Sequence, residues 1–228
     1  YASGNKFVAE GLPLNTFLMP KYAGVDKING LPMWYKDILG DDGEVIGTTM
    51  TSEYSEATEY LCDDPTPTLY GGFGTSFSFY NFDISAAFTY SIGGLAYDSG
   101  YASYMSPPGG TVGSNFHKDV LKAWTPENKD SDVPRFVYQD QNINASSDRF
   151  LVPASYLNFQ NAQIGYTIPS NITSKIKVDR VRVYVACDNI WYWSYRHGLD
   201  PRSSFSGGTN HASNSPVRTI TGGINITF

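Results

Sequence analysis

Few residues of this chain are spaced for covalent chemistry. The three histidines, His117, His197 and His211, have no metal-ligand spacing, and neither cysteine, Cys62 nor Cys187, lies near them in sequence. Two unpaired thiols are the plain reading of the cysteines. There is no G-x-S-x-G elbow and no phosphate loop. Gly71-Gly72-Phe73-Gly74 falls inside a strand pattern, where glycine makes room for a neighbouring side chain. No carboxylate pair stands out on a shared strand face. A glycoside hydrolase would need a pair brought together in space, which spacing alone leaves open. With nothing to support one, no catalytic residue, no enzyme activity and no cofactor is expected. Residues 37–64 carry nine acidic side chains and no Lys or Arg. Asp41-Asp42-Gly43-Glu44 puts hard oxygens on a turn, as Ca²⁺ requires, without the spaced D-x-D-x-D-G pattern; a solvated acidic loop is the plainer reading. Trp34, Tyr35, Tyr97, Tyr101, Tyr104, Trp124, Tyr192 and Tyr195 stand in or beside connections. They are candidates to stack on a ligand or partner, with interfacial or loop packing as the alternative.

The elements that must position these residues are strands. In 69–79, Leu69, Phe73, Phe77 and Phe79 share one phase, and Tyr70, Gly72, Gly74, Ser76 and Ser78 the other. In 82–92, Phe82, Ile84, Ala86, Phe88, Tyr90 and Ile92 alternate with Asp83, Ser85, Ala87, Thr89 and Ser91. A helix cannot produce that period of two. Tyr80-Asn81 separates the two runs as a tight hairpin turn. A third run, 155–168, slips phase at Gln160-Asn161, which predicts a bulge. In 180–194, Val181, Val183, Val185, Cys187, Trp191 and Trp193 oppose Arg180, Arg182, Tyr184, Asp188 and Tyr192. The fifth run is 217–228, with Ile220, Ile224, Ile226 and Phe228 in one phase. A short helix is expected at 115–124, capped by Ser114 or Asn115 and stopped by Pro126. Upstream, 15–23 and 31–36 flank Asn29-Gly30, a hairpin signal.

Charged residues make up only 17%, against about 25% in an average soluble domain, and aromatics reach 15%. The formal net charge of -6 argues against nucleic acid as a partner. No apolar run reaches the length of a transmembrane helix, and residues 1–20 show no secretory leader pattern. Neither observation bears on a membrane β-barrel, whose strands only alternate.

Thr221-Gly222-Gly223-Ile224-Asn225-Ile226-Thr227-Phe228 pairs an alternating strand with a final aromatic. Thr221, Gly223, Ile226 and Phe228 fit the signal by which the barrel-assembly machinery recognises outer-membrane barrels. The chain as a whole resembles the C-terminal part of a SusC/RagA-type TonB-linked (TonB-dependent) outer-membrane receptor. The resemblance rests on Glu10-Gly-Leu-Pro-Leu14, Lys21-Tyr-Ala-Gly-Val-Asp26, and Pro65-Thr-Pro-Thr-Leu-Tyr-Gly-Gly-Phe-Gly74. It continues through Phe82-Asp83-Ile84-Ser85, Tyr90-Ser-Ile-Gly-Gly94, Ala154-Ser-Tyr-Leu157, Ile164-Gly-Tyr-Thr-Ile-Pro169, Val183-Tyr-Val-Ala-Cys-Asp-Asn189 and Gly198-Leu-Asp-Pro201.

The resemblance implies an all-β fold: the C-terminal strands of an antiparallel transmembrane barrel of about twenty-two strands plus a plug, with long extracellular loops. It implies import of oligosaccharides or peptides in the bacterial outer membrane, with a SusD-like surface lipoprotein and with TonB acting through a plug region not present here. Residues 1–66 would be an extracellular loop region with a small hairpin. Residues 67–228 would be the last five barrel strands with extracellular loops 95–148 and 195–215. Asp83, Ser85, Thr89, Arg180, Arg182 and Asp188 would then face the lumen, and Phe82, Ile84, Phe88, Tyr90, Val181, Val183, Val185, Ile224 and Ile226 the lipid. Five strands cannot close a barrel, so the outer edges of 69–79 and 217–228 are expected to pair with strands supplied from elsewhere. The competing reading is a secreted, soluble β-sandwich that binds carbohydrate through aromatic loops. It requires the Phe82 to Ile92 face to pack against a second sheet.

Overall fold

The structure is a computed structural model, and it describes residues 1–105, 113, 115–138, 140, 142–203, 206–208 and 216–228. In chain order its strands are β1 (Ala2–Ser3), β2 (Lys6–Phe7), β3 (Thr16–Pro20), β4 (Tyr22–Val25), β5 (Pro32–Leu39), β6 (Val45–Thr51) and β7 (Glu59–Leu61). They continue with β8 (Leu69–Phe79), β9 (Phe82–Ile92), β10 (Leu95–Tyr97), β11 (Leu151–Pro153), β12 (Tyr156–Thr167), β13 (Arg180–Ser194) and β14 (Thr219–Thr227). Two short helices, α1 (Ser99–Tyr104) and α2 (Ser170–Thr173), complete the regular elements with a few 3-10 turns. The chain divides into two compact units: Tyr1–Thr66 with Gly94–Pro153 and 206–208, and Pro67–Gly93 with Ala154–Ser203 and 216–228.

The second unit is one antiparallel sheet of five strands in the order β14-β13-β12-β9-β8. The β8–β9 hairpin closes at Tyr80-Asn81 with Phe79 opposite Phe82. Tyr80 takes a left-handed φ of 53°, uncommon for a non-glycine residue, which a two-residue hairpin requires. The predicted bulge lies where Phe159 and Asn161 of β12 pair with successive residues, Phe88 and Ala87, of β9. It returns Ala162, Ile164 and Tyr166 to the face of Leu157 and Phe159. β13 carries its own irregularity at Asn189, with φ 52°. The three central strands run 11 to 15 residues, enough to cross a bilayer at the tilt of a membrane barrel. β8 and β14 are the two edges, and the sheet is not closed among the described residues.

The burial of this sheet is inverted. On its central strands the apolar phase is half open: Ile84 46% exposed, Ile164 48%, Val185 48% and Trp191 52%. On the polar phase Ser91, Asn158 and Ser194 are only 6–8% exposed. A soluble sheet shows the reverse. The apolar face is instead a band of rings stacked along neighbouring strands, Phe73 on Phe88 at 5.0 Å and Phe88 on Phe159 at 4.4 Å. No second sheet among the described residues covers it.

The first unit obeys ordinary soluble logic. Phe17, Met19, Trp34, Ala96, Met105, Val133, Ile143, Phe150 and Val152 form its buried core. β4, β5 and β6 make one small sheet, β1, β2, β3 and β7 another, and β10 pairs with β11. The hairpin expected around Asn29-Gly30 forms, but with β4 and β5 as its arms; β3 pairs with β2 and β7 instead. Gly30 adopts φ 75° at the turn. The ring of Trp124 lies where a Gly30 Cβ would fall, 2.6 Å from Cδ2. The helix expected at 115–124 is a correction. Only the 3-10 turn Lys118–Lys122 forms, capped by His117, and Ser114 lies outside the described residues. So short a segment, with β-branched Val120 inside it, gains too few bonds to nucleate an α-helix. α1 was not expected. Asp98 caps it by accepting the Tyr101 N–H, but Gly100 and the lack of apolar periodicity hide it in the sequence. Residues 37–64, read as an acidic loop, are an ordered β5–β6 hairpin, a 3-10 turn and β7.

Candidate functional site

The polar face of the five-stranded sheet gathers most of the charged and amide side chains of the second unit. Asp83 on β9 and Arg182 on β13 are not on neighbouring strands, because β12 lies between them. They meet across it in a fork, Arg182 Nε to Asp83 Oδ1 at 2.9 Å and Nη2 to Oδ2 at 2.5 Å. The residue beneath the fork is Gly165, where an added Cβ would lie 2.6 Å from Asp83 Oδ1. Glycine is therefore what lets an ion pair brace three strands. Next along, Arg182 lies 5.2 Å over the Tyr184 ring, and that ring covers Gly223 of β14. The aromatic shields a bare strand glycine, so the arrangement continues to the fourth strand.

Asp188 accepts from Asn161 Nδ2 at 2.6 Å, and Arg180 reaches Thr167 Oγ1 at 3.4 Å. Ser85 is half-buried on the same face. Thr89 accepts from Asn158 Nδ2 at 3.2 Å, and Asn158 Oδ1 accepts from Arg202 Nη1 at 2.7 Å. Arg202 also forks onto Asp200, at 2.8 and 2.7 Å, and lies 4.6 Å over Tyr192. The Ser194 hydroxyl donates to Leu199 O at 2.7 Å. Segment 196–203 is thus folded against the polar face and held there by charge-assisted bonds. Asn158, Asp200 and Arg202 were not singled out as site residues. Asn158 sits on the polar phase of its strand, but the Asp200–Arg202 partnership has no periodic signature.

The arrangement is a wall of paired charges, amides and hydroxyls. It carries hydrogen-bonding groups for a polar solute. Among the described residues no group of three or more His, Cys, Asp or Glu gathers as a metal site, and Cys62 and Cys187 are free. His211 lies outside the described residues. Of the terminal signal residues, Thr221 pairs with Ala186, Gly223 lies under Tyr184, Ile226 stands half exposed on the apolar face, and Phe228 is largely exposed.

The aromatic candidates divide. Trp34 is 1% exposed and packs edge-on against Tyr54 at 5.2 Å, which makes it a core residue. Tyr35, Tyr97, Tyr101 and Trp124 are half-buried in the first unit; Tyr104 and Tyr195 are exposed. Tyr101 donates to Asp119 Oδ2 at 3.1 Å and stands edge-on to His117 at 4.8 Å. His117 Nδ1 accepts the Asp119 N–H at 3.2 Å. Lys122 reaches the other Asp119 oxygen at 2.8 Å, and this bond above all holds the carboxyl below the usual carboxylate range. Elsewhere in this unit, burial pushes the Asp148 carboxyl up, against the opposing pull of the Tyr22 N–H that donates to it at 2.7 Å. Burial likewise pushes the Tyr22 phenol up to about 12.

An antiparallel sheet of membrane-spanning length, open at both edges, with its apolar face outward, is a wall section of a large transmembrane β-barrel. The comparisons with known proteins agree. TonB-dependent receptor P3 of Formosa agariphila is 28% identical over 98% of this chain, and TonB-dependent receptor P26 of the same organism is 28% identical over 72%. Among solved structures, the RagAB peptide transporter superposes with a TM-score of 0.77 at 27% identity over 98% of this chain. The RagAB peptide importer in its closed-closed state gives 0.76 at 27% identity over 100%. No family model matches. The chain is similar to a segment of these SusC/RagA-type receptors, and it spans 23% of the length of the P3 receptor and 25% of the RagAB transporter chain.

Proposed function

We propose that this segment forms part of the wall of an outer-membrane TonB-dependent importer of peptides or oligosaccharides, and that it performs no catalysis. The observation that carries the proposal is the inverted burial of the five-stranded sheet. A face of half-exposed Phe, Ile, Val and Trp is stable against hydrocarbon, and the crowded polar face then meets the aqueous lumen. In that arrangement Asp83, Ser85, Thr89, Arg180, Arg182 and Asp188 are lumen groups. The edges β8 and β14 would pair with further strands of the barrel, since unpaired N–H and C=O groups are costly in lipid. The long connections would lie outside the cell, where a SusD-like surface lipoprotein could cover them. Energy would come from TonB through a plug lying outside this segment.

The test uses the complete receptor in cells. A Ser85→Cys variant labelled with a bulky water-soluble maleimide should import labelled oligopeptide or oligosaccharide several-fold more slowly, and an Ile84→Cys variant should not react with that reagent. Labelled Ser85→Cys receptor that imports at the unlabelled rate would contradict the lumen assignment. A receptor that takes up neither solute would contradict the importer reading.

A further inference from the structure

The β5–β6 hairpin of the first unit leaves a strand edge that nothing among the described residues occupies. β6 is the outer strand of the β4-β5-β6 sheet. Its direction is fixed by its neighbour. Tyr35 donates its N–H to Lys21 O and accepts from Thr58 N, and Asp37 N–H donates to Thr58 Oγ1, so both turn away from β6. In an antiparallel ladder the alternate pairs are the bonded ones, here Trp34 with Thr51 and Lys36 with Thr49. Thr48 and Met50, opposite Asp37 and Tyr35, therefore aim their N–H and C=O groups outward.

Edge strands are normally guarded by a charge, a proline or brevity. β6 carries no charge or proline and is not short; a bulge at Ile46 interrupts only its start and leaves residues 47–51 in regular register. It is seven residues long, Val-Ile-Gly-Thr-Thr-Met-Thr, with Val45, Ile46 and Met50 more than half exposed. Its surroundings are one-signed. Asp41, Asp42 and Glu44 precede it and Glu53 follows, and none has an ion-pair partner among the described residues. Glu56 is the one neutralised, by Lys36 at 2.8 Å.

We infer that the β6 edge is a docking site for an extended strand of a separate partner protein, apolar or Thr-rich in its centre and flanked by Lys or Arg. The backbone of Thr48 and Met50 supplies the ladder bonds, Ile46 and Met50 supply apolar contact, and the four carboxylates select the cationic ends. A second copy of this chain fits poorly, because its own β6 brings the same four negative charges. The inference does not depend on what the barrel carries.

The probe is a synthetic peptide, Lys-Lys-Val-Thr-Val-Thr-Val-Lys-Lys, titrated onto the complete receptor in detergent. It should bind more weakly as salt rises, and at least tenfold more weakly when every Lys is replaced by Glu. Thr48→Pro removes an outward N–H without touching the β5–β6 ladder, and should also weaken binding at least tenfold. Thr58→Val, on the far side of β5, checks that loss is not general unfolding and should bind normally. Hydrogen exchange at Thr48 and Met50 should be fast in the free receptor and slow with peptide. Equal binding of the Glu peptide, or unchanged binding by Thr48→Pro, overturns the inference. So does protection of Thr48 and Met50 without peptide, which would mean the edge is already occupied. Self-association lost in Thr48→Pro would replace the partner strand with a second copy.

Discussion

At the scale of single residues, the two units use their polar side chains differently. In the first unit Asp119 gathers Tyr101, His117 and Lys122 around one carboxylate. The Lys122 bond, then that of Tyr101, holds its folded pKa below the usual value of about 4 for Asp. The sign follows from linkage. A depressed carboxyl contributes stability that is complete above its unfolded pKa and is lost as pH falls through its folded one. Thermal unfolding of the complete receptor and its Asp119→Asn variant should therefore show a gap that is constant above about pH 5. The gap should close on further acidification. A gap that is unchanged or wider in acid would show that the carboxylate is not the stabilising form. Little of this was legible in sequence. Tyr101, His117, Asp119 and Lys122 are dispersed over a connection without periodicity, and only the fold of the first unit makes them neighbours.

At the scale of elements, legibility follows from solvent. β8, β9 and β13 match their predicted runs end to end, because each face of those strands meets a different environment and residue type must alternate with the pleat. β1, β2 and β7 are two or three residues long and carry no such pattern. The polar phase of β9 and β13 could be read from spacing. The Asp83–Arg182 fork could not, because it depends on β12 entering between two strands and on the bulge that sets Gly165 opposite Asp83. That geometry predicts coupling. Gly165→Val should push the fork apart and destabilise the receptor by about 1–3 kcal/mol, the usual range for overpacking. In an Arg182→Ala background, where the guanidinium is gone, the same substitution should cost clearly less, a non-additivity readable by heat-modified gel mobility. An equal cost in both backgrounds would mean that Gly165 serves something other than the brace.

At the scale of the whole chain, two burial logics share one polypeptide. The first unit buries Phe17, Trp34 and Phe150 as any water-soluble fold does. The second leaves its rings outward and crowds Ser91, Asn158 and Ser194 together. Composition carried a trace of this in the low charge and high aromatic content, and alternation carried most of the rest. The tertiary gathering of Gly94–Pro153 with Tyr1–Thr66 into one core had no local signal, because it joins segments far apart in sequence. The claim that everything else depends on is that the Phe82 to Ile92 phase faces lipid. Nitroxide labels placed one at a time at residues 82 to 92 of the complete receptor in liposomes test it directly. Collision rates with lipid-soluble oxygen should oscillate with a period of two, high at 82, 84, 86, 88 and 90 and low at 83, 85, 87 and 89. A profile without that oscillation, or with its phase reversed, would contradict the account.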